Sequence, residues 1–405
     1  MRFVQFYLFF FAYYIPLSSL FAQSRSPEFP PISNDAQISL ITGEPGKELY
    51  TAWGHSAIRV YDPINGIDLV YNYGTFDFDA PGFYQKFLRG KLNYSLSVYD
   101  FKRMVLTYKY YNQSLFEQII NLTYDEKKAI YNFINNNYLP ENRYYLYDFF
   151  FDNCSSRIKD VFQDILGSKL IFEDYHIKTH KTFRQLLDEF LGDSPWSDFG
   201  IDLILGIPAD AVAASEEYMF LPYKLFDAFE NAKIIKGNEY IPFVSNTIII
   251  HQSIDIQGGQ SFRLTPKILF WSLLIVVFGM SLSIKKDKKI FKVLDTTLFL
   301  SIGVTGFIIA FLWFFTDHIV TKDNLNLLWT FPSHFIIPFI IFKNMKSQWV
   351  VYYFLFWLIF LILFLGSWTI LPQQMNYANI PIILMLIVRF YFNYKKTKSD
   401  VERRK

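Results

Sequence analysis

Five apolar runs fill the end of this chain, at 268–284, 293–315, 325–342, 349–371 and 380–394. A bilayer core about 30 Å thick takes a helix of about 20 apolar residues. In lipid the helix is also one of the few ways to satisfy every backbone polar group. The first four runs reach or approach that length. The fifth is shorter and carries Arg389, whose long side chain can snorkel toward the interface. The expectation for 264–405 is therefore an all-α bundle of five transmembrane helices. The connecting loops orient it. Lys285, Lys286, Lys288, Lys289 and Lys292 follow the first run, and Lys343 and Lys346 the third. Lys395, Lys396, Lys398, Arg403, Arg404 and Lys405 follow the fifth, and the other two loops hold only Lys322. Under the positive-inside rule the C-terminus is cytoplasmic and the residues before 264 lie on the outer side.

The N-terminus points the same way. Arg2 precedes an apolar run at 3–20, then Ala22 and the polar Gln23-Ser24-Arg25-Ser26. This reads as a secretory signal, 1–22, cleaved after Ala22. An uncleaved anchor is the alternative. Together the signals predict a multi-pass protein of the inner membrane with a periplasmic domain at 23–263. In that stretch charges are spread and turn signals recur, as at Asn65-Gly66 and Ala80-Pro81-Gly82. Lys and Arg (39) nearly balance Asp and Glu (37), which excludes a polybasic nucleic-acid binder. A single Cys excludes an intramolecular disulfide framework and any Cys-cluster metal site.

That Cys has an informative setting. In Asp152-Asn153-Cys154-Ser155-Ser156-Arg157, either Asp152 or Asn153 is a natural N-cap. Ile158, Phe162, Ile165 and Leu166 then repeat at helical spacing. Cys154 falls in the first turn, where unpaired N–H groups and the dipole favour a thiolate. A lone Cys is otherwise more often a small buried core residue. A Cys nucleophile needs a base. His55 opens a strand in Trp53-Gly54-His55-Ser56-Ala57, and a second strand, 69–74, returns after Asn65-Gly66. Without Cys154, His55 would read as an ordinary strand-edge residue. His176 and His180 are spaced i, i+4 but have no third ligand, so they read as a solvated helix approach rather than a metal site. His251 lies in an apolar strand-like run and reads as structural. His334 sits inside the third span after Pro332, with its role open.

The order Gly-His-Ser at a strand start, a polar-aromatic second strand, then Asn-Cys-Ser at a helix start resembles the permuted papain-like enzymes. Lecithin-retinol acyltransferases share that order. More narrowly, the chain resembles the Bacteroidota lipoprotein N-acyltransferases (Lnb). The matching stretches are 53–57, 71–78, 153–157, 200–208 and 217–222, with Asp317-His318 and 324–329 in the membrane part. The resemblance spans nearly the whole mature chain. It implies an α+β permuted papain-like periplasmic domain, with Cys154 as nucleophile and His55 as general base. The substrates implied are a phospholipid acyl donor and a diacylglyceryl lipoprotein acceptor, linked by a Cys154 thioester. No cofactor or metal is needed, because the phospholipid ester supplies the energy.

A third group should orient the imidazole, by the logic of triads. Asn72 is the first choice, with Tyr71 and Tyr73 as alternatives on the same strand. Tyr71, Tyr73 and Arg157 lie within the matching stretches and are candidates for the substrate site. Asp77, Asp79 and Asp202 are candidates for its rim, and equally turn or cap residues. Asp317, His318, Asn324 and Asn326 fall on the outer side between the second and third spans. There they would meet lipid headgroups or the diacylglyceryl substrate, or form an ordinary loop. Two other readings stand beside acyl transfer. One is a papain-like amidase or peptidase acting on peptidoglycan. The other is a non-catalytic envelope binding protein, in which Cys154 and His55 would lie apart. Helices are expected at 102–121, 125–137 and 182–191, around a small antiparallel sheet. Thr123 and Glu126 form a capping box at the start of the second.

Overall fold

The computed structural model describes residues 29–173, 177, 179–254, 264–282 and 288–404. The signal segment, His176 and the boundary at Arg263 lie outside them. The first domain is built on a seven-stranded antiparallel sheet ordered β10-β5-β1-β2-β3-β4-β6. Its strands are β1 (Gln37–Gly43), β2 (His55–Asp62), β3 (Ile67–Thr75), β4 (Asn93–Asp100), β5 (Leu115–Ile120), β6 (Tyr144–Leu146) and β10 (Val244–His251). β2 and β3 form the hairpin expected from Asn65-Gly66, with Ile58 opposite Tyr71. The sheet is larger than expected. Both of its faces are covered, so it is a central layer rather than a small platform.

One face packs against α3 (Tyr124–Tyr138), α4 (Cys154–Leu166) and α7 (Pro222–Asn231). Ile38, Leu40, Ile58 and Tyr71 meet Ile134, Ile158, Phe162 and Phe229 there. The other face carries Ile41, Ala57, Val70 and Leu115 under Phe101 and Met104 of α2 (Phe101–Tyr110). The helix expected over 102–121 is thus half right. It ends at Tyr110, Asn112 takes a left-handed conformation (φ 52°), and 115–120 becomes β5. Asn tolerates that conformation and stops helices. β5 lies between β10 and β1, where pairing on both sides overrides local helical preference. The capping box at α3 is present in both halves, Thr123 to the Glu126 N–H and Glu126 to the Thr123 N–H. The helix expected at 182–191 forms as α5 (Phe183–Leu191). The short helix α1 (Phe83–Leu88) follows β3, and α6 (Pro195–Ile204) follows α5. A second sheet of β7 (Leu170–Ile171), β8 (Lys233–Lys236) and β9 (Glu239–Pro242) flanks the core.

Among the described residues the membrane part consists of helices and their connections. α8 (Pro266–Leu282), α9 (Lys288–Phe314), α12 (Gln348–Gly366) and α13 (Asn379–Glu402) are continuous. α9 and α12 are long and apolar enough to cross a membrane on their own. The third apolar run is broken into α10 (Asn326–Thr330), a tight turn at 332–336 and α11 (Ile337–Phe342). Pro332 is the cause, since it lacks an N–H and forces Phe331 out of helical geometry (ψ 133°). His334 Nε2 then donates to the Trp329 carbonyl at 3.2 Å, which repairs the broken ladder. Arg389 does not snorkel. It is buried, bonded to both Asp295 carboxylate oxygens and to Ser281 Oγ. α13 extends well beyond the apolar run, so Arg389 sits inside the helix rather than near its end.

The two parts are joined by backbone-directed bonds. Asn324 Nδ2 donates to Leu203 O (2.9 Å), Asn326 Nδ2 to Asp202 O (3.1 Å) and Gln373 Nε2 to Leu205 O (3.0 Å). The Gly206 N–H donates to Val320 O at 2.9 Å.

Candidate active site

Asn153 caps α4. Its side-chain oxygen accepts from the N–H groups of Ser155 (2.8 Å) and Ser156 (2.9 Å), and the Ser156 hydroxyl returns a bond to the Asn153 N–H. Its amide nitrogen is held by the Phe149 and Phe220 carbonyls. The helix start is therefore fixed on all sides, and Cys154 stands at its first position. The cap leaves the Cys154 N–H itself unused.

β2 brings His55 to the thiol. The Gly54 φ of 82° is left-handed, and a β-carbon there would sit 2.7 Å from the Gly43 carbonyl. Only glycine lets the chain turn into β2 at that point. Gly74 (φ 85°) plays a similar part on β3, where a β-carbon would lie 3.6 Å from that of Cys154. His55 and Cys154 shift each other's titration: the thiolate charge raises the imidazole and the imidazolium charge lowers the thiol. His55 Nε2 pairs with Asn72 Oδ1 at 2.5 Å, and Asn72 Nδ2 donates to the Tyr99 hydroxyl at 3.3 Å. With Nε2–H given to Asn72, Nδ1 is the nitrogen left to take the thiol proton.

The two titrating groups move toward each other. Burial raises the Cys154 pKa, but the His55 charge, its hydrogen bond, the Ser56 N–H and the Ser155 hydroxyl outweigh that, and the net is a lowered value. Burial lowers the His55 pKa, and the Cys154 charge with bonds to Cys154 and Asn72 raises it overall. Each partner thus favours the charged form of the other. The arrangement can form a thiolate–imidazolium pair with the Cys154 backbone N–H, which the Asn153 cap does not take, beside it. That is the equipment of nucleophilic acyl chemistry.

The other expected residues divide clearly. Tyr71 and Tyr73 lie on the opposite face of β3 from Asn72. The Tyr71 hydroxyl donates to Asn135 Oδ1, and the Tyr73 hydroxyl accepts from Asn137 Nδ2. They brace α3 and do not reach the imidazole. Arg157 forks onto Asp152 (2.5 and 2.8 Å) and stacks 3.5 Å over the Tyr145 ring, clamping the helix start. Asp77 is exposed and caps its own turn by accepting from the Asp79 N–H. Asp202 is buried in an ion pair with the fully buried Arg184, which also binds Asp210. Asn324 and Asn326 are fully buried in the bonds between the two parts. Asp317 and His318 meet the segment after α1. The Asp317 N–H donates to Arg89 O, and His318 Nε2 donates to Phe87 O at 3.0 Å. Asp77, Asp202, Asn324, Asn326, Asp317 and His318 are thus engaged away from Cys154.

Residues that sequence reasoning passed over also stand here. The Ser56 N–H helps to lower the Cys154 pKa, and its hydroxyl accepts from Ser155 Oγ at 3.1 Å. Tyr99 carries Asn72, and Tyr147 lies beside Gly74 and feels the Cys154 charge. Ser56, adjoining His55, could have been found from the motif. Tyr99 and Tyr147 depend on strand pairing and carry no local signal. Among the described residues, the carboxylates of Asp188, Asp198 and Asp202 also cluster within reach of one another. Arg184 is already bonded to Asp202 there.

Residues 32–189 match the family model of the Lnb N-terminal periplasmic domain, and 257–400 that of the Lnb transmembrane domain. No curated protein and no solved structure matches the chain. With an α+β sheet domain followed by a helical membrane domain, and both parts matched in order, the chain belongs to the Lnb family, the lipoprotein N-acyltransferase family that its sequence resembles.

Proposed function

We propose that the protein transfers an acyl chain from a phospholipid to the α-amine of a diacylglyceryl-cysteine, through a thioester on Cys154. The reading is supported by one observation above all: Asn72 holds His55 Nε2 at 2.5 Å, and the imidazole lies near enough to the thiol to lower its pKa. The Cys154 thiolate attacks the ester carbonyl carbon, forming the S–C bond and a tetrahedral oxyanion next to the Cys154 N–H. The C–O bond to glycerol breaks, and the His55 imidazolium gives its proton to the leaving oxygen, releasing a lysophospholipid. The acceptor amine then attacks the thioester. His55 takes the amine proton, the C–S bond breaks, and an amide leaves with the thiolate restored.

Membership of a family with a transmembrane domain favours a lipid substrate over a soluble one. On this reading 23–263 is the catalytic unit on the periplasmic side and 264–405 is its anchor in the inner membrane. The test is intact-mass spectrometry of a lipoprotein from cells whose only such enzyme is this protein or its Cys154→Ala form. One added acyl chain with the wild type and none with Cys154→Ala is expected. Identical acylation in both sinks the proposal, and peptidoglycan fragments become the next substrate to try.

A further inference from the structure

The segment from Phe76 to Lys91 has a composition that the catalytic reading leaves unused. Phe78 is 59% exposed, Tyr84 72%, Phe87 48% and Leu88 51%. All four fall within a single turn-and-helix unit built on α1. A small protein rarely leaves so many large apolar groups together in water without a purpose. Exposed Lys86 and Arg89 stand among them. Aromatic and aliphatic side chains interleaved with cations are the composition of a bilayer interface, where anionic phosphates meet the acyl region.

Its position agrees. The backbone of α1 is bonded at Phe87 O and Arg89 O to His318 and Asp317, in the connection between α9 and α10. Lys91 also pairs with Asp317 at 3.5 Å. A β-carbon at Gly90 would come within 3.3 Å of the His318 ring, so α1 rests directly on that connection. The connection lies where two membrane helices emerge, so the exposed face of α1 continues the surface at which the bundle leaves the lipid.

From α1 a row of rings leads inward. Phe83 lies 6.0 Å from Phe76, Phe76 5.3 Å from Tyr94, and Tyr94 stacks on Tyr147 at 4.3 Å. Tyr147 and Cys154 flank Gly74 together. We infer that α1 and the loop before it insert into the outer leaflet of the membrane that holds α8–α13, and that the row of rings guides a phospholipid acyl chain from there to Cys154. The seating in the leaflet stands on its own. The guiding role rests on the acyl-transfer reading above.

Two measurements on the full chain test this. Because Cys154 is the only Cys in the sequence, Tyr84→Cys in a Cys154→Ser background takes a single environment-sensitive fluorophore. In phosphatidylethanolamine–phosphatidylglycerol vesicles the label should be quenched by brominated lipid and shielded from aqueous iodide. The same label at Ile64→Cys, in the β2–β3 turn, should behave in the opposite way. Equal iodide access at both positions overturns the seating, whatever Cys154 does.

The second measurement compares acyl transfer to Cys154 from bilayer phospholipid and from a monomeric short-chain phospholipid. In Phe76→Ala/Tyr94→Ala, which removes two rings of that row, the ratio of bilayer to short-chain rate should fall about tenfold. An unchanged ratio overturns the guiding role. A wild type that forms no thioester with either donor overturns it together with the reading it rests on, while the fluorophore still decides the seating.

Discussion

Asn72 Oδ1 lies 2.5 Å from His55 Nε2, while the side chains on either side of it, Tyr71 and Tyr73, are turned to α3. Successive residues of a strand face opposite ways, so one of three adjacent polar side chains is selected by pleat alone. Asn72→Ala should lower the rate of Cys154 acylation by roughly ten- to a hundredfold, the scale of a misoriented general base. Tyr71→Phe should leave that rate nearly intact and lower thermal stability instead. Rapid-quench mass spectrometry of the acyl-enzyme, with a melting curve of each variant, separates the two.

Thiol titration follows from the shifts. Cys154 is lowered by its surroundings, so its thiolate forms at a pH below that of a free thiol. The rate of iodoacetamide alkylation should rise with pH and reach its midpoint below that of a free thiol measured alongside. Removing the imidazolium in His55→Ala removes an attraction for the thiolate, so the midpoint should move upward. A midpoint unchanged by His55→Ala would show that the pair is not coupled.

Asp188 carries a different pH signature. Burial, then the nearby charges of Asp202 and Asp198, push its pKa up to about 7. Between the unfolded value, about 3.9, and that point, the folded chain binds more protons than the unfolded one. This contribution therefore lowers stability as pH rises through that window. Asp188→Asn should flatten the decline, raising the melting temperature at pH above 7 and changing it little near pH 4. Thermal unfolding in detergent across that range reads it directly.

Gly206 tests the junction between the two parts. A β-carbon there would sit 1.8 Å from the Lys322 carbonyl oxygen, a backbone atom that cannot swing away. Gly206→Ala should cost about 1–3 kcal/mol, as overpacking does. Gly200, in α6, has nothing within 4 Å of such a carbon, and Gly200→Ala should be neutral or stabilising. Melting curves of the two variants side by side, with limited proteolysis near 206, would show the contrast.

What could be read in advance was local or periodic. The N-cap before Cys154, the Thr123–Glu126 box and the Asn65-Gly66 hairpin each occupy a few consecutive residues. The apolar runs of the membrane part announce themselves by composition. The rest required pairing information. Residues 115–120 look helical until β1 and β10 are placed on either side. Asn72 could not be separated from Tyr71 and Tyr73 without knowing which face of β3 the imidazole shares. Asn324 and Asn326 look like free polar groups at a membrane edge. In the fold they satisfy the Leu203 and Asp202 carbonyls, partners more than a hundred residues away. Arg389 misled for the same reason, since its partner stands on another helix.

That partner has a bearing on how the protein is made. Asp295 enters the membrane on α9 and its counter-charge arrives on α13, 94 residues later. Either helix alone would carry a charge without the partner that offsets its burial in the folded bundle, at a cost of several kcal/mol. The packing of α9 against α8 and α13 is therefore completed only when the last helix is in place. A product truncated before α13 would leave the Asp295 carboxylate without Arg389 and Asn393, so an unfinished chain differs from a complete one by an unpaired charge in the bundle.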